Sequence, residues 1–207
     1  MKINCRRWNL AFIGCLLLTS VSSLSARAAA DDKKSGSSSQ QLLQLAYDQI
    51  IKSNFDEALP TLCKVVQVDR NSPTARRYLA FVLLQEGHPR EALVQLDALK
   101  SIQTGASFDL LLRGVAFDMT GKHEDALQLF QDLMTREPNS DYYRTKTIDE
   151  LLVLLRYSEA YKLASDGYES AKDVKIAAVY NQKLKKIRSI ERLTGRPHLE
   201  APVVARR

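Results

Sequence analysis

The sequence predicts an all-α solenoid: about four antiparallel helix-turn-helix units over residues 39–172, closed by one further helix over 173–194. Three observations carry this. An acidic residue precedes an alanine at a fixed stride, so that Ala58, Ala92, Ala126 and Ala160 stand 34 residues apart without a gap. Turn signals recur in step with the alanines, Gly87 and Gly121 each lying five residues before theirs. The composition, 45% apolar and 26% charged with 7% aromatic residues and 8 glycines, suits a leucine- and alanine-rich helical protein, and neither a disulfide scaffold nor a disordered chain.

Residues 1–28 read as an export signal. Lys2, Arg6 and Arg7 form a positive start, Leu10 to Val21 an apolar stretch, and Ala26-Arg27-Ala28 a small-residue cleavage pattern with cutting expected after Ala28. An apolar stretch of about 12 residues falls short of the ~20 that cross a bilayer as a helix. Ile13-Gly14-Cys15 has the form of a lipoprotein junction, but the apolar run continues through Cys15 as Leu16-Leu17-Leu18, which favours a cysteine packed inside the signal. The expected location is therefore periplasmic or secreted, with a lipid anchor on Cys15 as the alternative. Removal of the signal leaves Cys63 as the one cysteine, so no internal disulfide can form. Residues 29–38, with Lys33-Lys34-Ser35-Gly36-Ser37-Ser38, are expected to be a flexible linker.

The four units occupy 39–72, 73–106, 107–140 and 141–172. In each, Glu57, Glu91, Asp125 or Glu159 sets negative charge near the start of the second helix, where the helix dipole favours it. Ser53-Asn54 takes the turn-glycine place in the first unit and Arg156 in the fourth. The alanines permit two helices to approach closely, and larger residues fill the remaining gap: Leu45, Leu62 and Val65; Leu79, Leu96 and Leu99; Leu110, Phe117, Phe130 and Leu133. Pro60 interrupts the second helix of the first unit and predicts a local bend there. The fourth unit diverges, with Ile148 at a normally small site and Ala164 and Gly167 at normally large ones. Over 174–194, Ile176, Tyr180, Leu184 and Ile187 make one apolar stripe, as a terminal cap requires, and 195–207 is expected to be a flexible tail.

With these residues in place, the chain resembles the tetratricopeptide repeat family over residues 39 to about 172. Small residues of the family pattern are matched by Ala46, Ala80 and Gly114 and its closing proline by Pro138, while Leu42, Arg76, Leu110 and Arg144 replace its early tryptophan. The resemblance implies a right-handed superhelix whose concave side, lined by first-helix positions, receives a peptide. Carried over position by position, that side holds Leu43, Tyr47 and Ile50, then Arg77, Phe81 and Leu84. Leu111, Val115, Asp118 and Met119 follow, then Thr145, Asp149 and Leu152. Tyr47, Arg77, Phe81, Leu84, Val115 and Met119 form the candidate peptide-binding groove, an apolar strip with one cation. The Lys and Asn set with which carboxylate-clamp members hold a chain end is not found at these positions.

No residue pattern supports catalysis. His88 and His123 fall in inter-helix turns and are read as solvated, His198 lies in the tail, and none has metal-ligand spacing. Asp149-Glu150 reads as helix surface. No catalytic residue, metal or cofactor is expected. The formal net charge of +6 is concentrated at one end: residues 29–171 carry 16 basic and 21 acidic residues, and residues 172–207 carry 10 basic and 3 acidic. That distribution does not suit a nucleic-acid partner. It leaves the basic C-terminal helix, or an uncleaved signal, as the only route to a membrane. The expected function is a non-catalytic adaptor in the bacterial cell envelope that binds a protein or peptide; the alternative is an assembly subunit that self-associates through its C-terminal end.

Overall fold

The computed structural model describes residues 33–102 and 105–194; the signal, Cys15, the first linker residues and the tail with His198 lie outside the described residues. Among the described residues the chain forms nine helices and no strand: α1 (Lys33–Ile51), α2 (Phe55–Val68), α3 (Pro73–Gln85), α4 (Pro89–Ile102), α5 (Ser107–Met119), α6 (His123–Arg136), α7 (Asp141–Val153), α8 (Tyr157–Ser170) and α9 (Val174–Thr194). The 34-residue stride holds to the residue. The second helices α2, α4, α6 and α8 all have 14 residues and begin at 55, 89, 123 and 157. The first helices α3, α5 and α7 all have 13 and begin at 73, 107 and 141. None of these helices is long and apolar enough to cross a membrane.

The turns repeat as well. Ser53, Gly87, Gly121 and Leu155 have φ of 60°, 82°, 78° and 61°, one left-handed residue per unit at the same stride. The turn residue of the fourth unit is thus Leu155, one position before the expected Arg156, which instead precedes the first residue of α8. Around three of these residues the backbone closes alike: the N–H groups of Asn54, His88 and Arg156 donate to the carbonyls of Gln49, Leu83 and Leu151 at 2.9, 2.8 and 2.8 Å. This satisfies carbonyls that the helix end would otherwise leave open. At the opposite ends, the Ser72 and Ser140 hydroxyls accept from the N–H groups of Ala75 and Tyr143. Pro73 follows Ser72 at the first helical position, where its missing N–H costs nothing.

The described helices fall into two compact units, divided between Thr120 and Gly121. In the first, α1 packs on α2, α2 on α3, α3 on α4 and α4 on α5. Ala58 and Ala92 are fully buried at the close helix approaches, and Leu62, Val65, Leu79, Leu96 and Leu99 fill the space between them. Leu110 and Phe117 are half-buried. Leu45 departs from expectation at 48% exposure. Its counterpart one stride on, Leu79, lies on a helix covered by the preceding α2, whereas α1 opens the described array. α1 also starts earlier than the boundary at residue 39, so the Ser- and Gly-containing stretch from Lys33 is helical. α2 runs continuously through Pro60, whose exposure leaves the unreached carbonyl open to water.

In the second unit α6 packs on α7, α7 on α8, and α9 lies against α8 and α7. Its core joins Leu127, Ile148, Leu151, Leu152, Ala160 and Ala164 to Tyr180, Leu184 and Ile187 of α9. The divergence of the fourth repeat has a cause here. A Cβ on Gly167 would stand 2.5 Å from Cε1 and Cζ of Tyr180, so the small residues of α8 make room for an aromatic ring that α9 supplies. The Tyr180 hydroxyl donates to Asp141 at 2.6 Å, Lys183 pairs with Asp149, and the Arg188 guanidinium lies 5.8 Å over the Tyr161 ring. The closing helix is held by packing along one stripe and by polar contacts at its borders.

Candidate functional site

The candidate groove residues all lie in the first unit, on α1, α3 and α5. The helix period decides what each can offer. Phe81, Leu84 and Val115 are buried, at 1%, 4% and 3% exposure, while Tyr47, Arg77 and Met119 are half-buried. The first three belong to the apolar interior, with the Phe81 ring edge-on to Phe55 at 6.1 Å. The surface within reach of a partner is carried by the other three.

Two contacts link the three first helices of this unit. Between α1 and α3, Tyr47 and Tyr78 rings stand 6.0 Å apart and tilted by 35°. Between α3 and α5, Arg77 makes a bidentate pair with Asp109, Nε to Oδ1 at 2.5 Å and Nη2 to Oδ2 at 2.9 Å. The Asp109 carboxylate raises the pKa of the Arg77 guanidinium against the opposing effect of burial. Burial, with Tyr47 nearby, raises that of the Tyr78 phenol. The cation read from the sequence therefore comes with its own carboxylate. Chemically this is a fixed dipole beside an aromatic edge, suited to main-chain amides and polar side chains of a partner more than to a bare carboxylate.

Sequence reasoning did not place Asp109 in the site. A signal was available: Asp109 is the third residue of α5 and Arg77 the fifth of α3, so a stride of 34 sets them almost level on neighbouring first helices. Arg113 reaches the α4 carboxylate of Asp97 in a similar way, at 2.6 Å.

The second unit holds two further polar clusters. Glu150, read from sequence as surface, is 1% exposed, and its Oε2 lies 3.0 Å from Nδ1 of His123. A carboxylate withdrawn from water needs a donor, and the imidazole at the first residue of α6 supplies one. His123 is thus engaged, not a solvated turn histidine, whereas His88 is exposed as expected. A cleft of about 330 Å³ is lined by Asn139, Asp141, Arg144, Ser170, Lys172, Asp173 and Ile176. Arg144 at its wall donates to Asp141, to the Ser170 hydroxyl and to the Pro138 carbonyl. Burial raises the pKa of the Tyr180 phenol behind it, and the hydrogen bond to Asp141 adds to the shift.

No family model matches the chain, and no curated protein is similar to it at a significant level. Solved structures are. A tetratricopeptide repeat protein from Parabacteroides merdae superposes with a TM-score of 0.62 at 20% identity, over 75% of this chain. The chain spans 62% of the length of that protein. The fold is that of tetratricopeptide repeat proteins. MamA from Desulfovibrio magneticus shares it at a TM-score of 0.54 and 16% identity, over 76% of this chain and 78% of that one. So does the second tetratricopeptide repeat domain of human RPAP3, solved with an HSP70 peptide, at 0.51 and 16% identity over 56% of this chain and 97% of that one.

Proposed function

We propose that the chain is a non-catalytic adaptor of the bacterial cell envelope, which binds a peptide segment of another protein along α1, α3 and α5. The observation that carries this reading is that α1, α3 and α5 are tied in succession, by the Tyr47 ring on the buried Tyr78 and by the Arg77–Asp109 pair, which fixes the half-buried Tyr47, Arg77 and Met119 in place. Such a surface is fixed before a partner arrives, so little side-chain entropy is lost on binding. The RPAP3 domain, with a peptide bound to the same fold, supports the class of partner. The signal-like residues 1–28 support the location.

The contact predicted is one extended or helical peptide across Tyr47, the Arg77–Asp109 pair and Met119. The test is recovery of the partner from envelope extracts by wild-type protein and by Tyr47→Ala and Met119→Asp, with melting temperature as a folding control. Loss of at least tenfold in recovery is expected for each, on the order of 1.4 kcal/mol. Undiminished recovery by both folded variants would sink the groove.

A further inference from the structure

The chain changes sign along its length, and the change is built into the fold. Residues 121–171 hold 6 basic and 10 acidic residues, and residues 172–207 reverse this with 10 basic and 3 acidic. α9 buries Tyr180, Leu184 and Ile187, and at 100° per residue its opposite side presents Lys175, Lys185, Lys186 and Arg192, all exposed. Lys183 and Arg188 are directed elsewhere, to Asp149 and Tyr161. The one acid within α9, Glu191, lies half-buried near the inward stripe. Val179 at 42% exposure and Leu193 at 85% share the outward side with the cations. From Lys175 to Leu193 this face runs roughly 27 Å.

We propose that this outward face of α9 docks on an anionic lipid surface. Four cations spread along one helix fit a diffuse planar charge, and two exposed apolar side chains among them can enter the headgroup layer. The face carries no aromatic platform of the kind that single-stranded nucleic acid uses. The rest of the same unit sets its orientation: residues 121–171, with 6 basic and 10 acidic residues, are repelled by the surface that attracts α9. This contact is independent of the peptide groove, which lies on other helices.

The test is co-sedimentation of the exported chain with vesicles of phosphatidylcholine alone and with about 30% phosphatidylglycerol, at about 50 and about 500 mM salt. Binding to the anionic vesicles alone, abolished at high salt, is expected. At about fivefold per cation, Lys185→Gln/Lys186→Gln/Arg192→Gln should lower partitioning about a hundredfold with an unchanged melting temperature. Should that variant fail to fold, Val179→Ser/Leu193→Ser is to lower partitioning several-fold. Equal binding to neutral vesicles, or undiminished binding by the folded variants, overturns the proposal. So does the absence of vesicle binding with salt-sensitive self-association or binding to duplex DNA in its place.

Discussion

Substituting Gly167→Ala probes the closing helix with one methyl group. The new Cβ would meet Cε1 and Cζ of Tyr180 at 2.5 Å and Cδ1 at 2.9 Å, where carbon atoms ordinarily rest about 3.5–4.0 Å apart. The ring must retreat by roughly 1 Å. It is fully buried, and its hydroxyl is committed to Asp141 at 2.6 Å, so a retreat strains the core or stretches that bond. Overpacking of this kind costs about 1–3 kcal/mol, and a hydrogen bond to a carboxylate is worth roughly 1.5–3 kcal/mol. Alanine returns about 1 kcal/mol of helix propensity. A net loss of about 2 kcal/mol follows, or a fall of about 10 °C in Tm for a unit of this size. Thermal melting followed by circular dichroism reads it directly. A Tm at or above wild type, the behaviour of a solvent-facing helical glycine, would refute the packing of α9 on α8. The double substitution Gly167→Ala/Tyr180→Leu should recover part of the loss, because the clash goes with the ring.

Leu155 holds φ at 61° in a position where two other repeats place glycine. A left-handed conformation costs a non-glycine residue about 1–2 kcal/mol, and glycine returns about 0.5–1 kcal/mol through its freer unfolded chain. Leu155→Gly should therefore stabilise by about 0.5–1 kcal/mol, read as a raised urea midpoint. Alkali should weaken the second unit. Burial pushes the Tyr143 phenol up to about 12 and raises that of Tyr180, while an unfolded tyrosine titrates near 10. The folded chain then holds protons that the unfolded chain releases, so stability is full below about pH 10 and falls above it. Tyr143 alone accounts for about 2 kcal/mol by pH 12. The urea midpoint should decline between about pH 10 and 12, and less steeply in Tyr180→Phe.

The helices were legible because their signals are local. Alanine at the close approaches, acids at helix starts and left-handed turn residues all act within a few positions of where they stand in the chain, and the stride of 34 repeats them. What the sequence concealed lies between helices. Phe81, Leu84 and Val115 carry the right apolar character for a groove, yet apolar character does not tell which of two faces a helix buries when both sides have neighbours. Arg77 looked like a free charge because Asp109 stands 32 residues away. Glu150 looked like surface because it stands in an acidic pair with Asp149, although one residue turns the helix by 100° and brings Glu150 against His123. Gly167 and Tyr180 were each noticed, one as an anomaly and one as a stripe residue, and only the packing shows that each explains the other.

The left-handed turn at positions 53, 87, 121 and 155 has a consequence for how such a chain can change over evolutionary time. Two of the four residues are glycine, one is serine and one leucine, so the bend outlasts the residue that suits it best. Letters can drift while the beat is kept, which accords with a fold shared at 20% identity or less where no family model matches. The same rule makes length the unforgiving variable. One residue added to a turn would change how the two helices it joins meet, whereas a whole unit of 34 residues could be copied in and leave every such meeting intact.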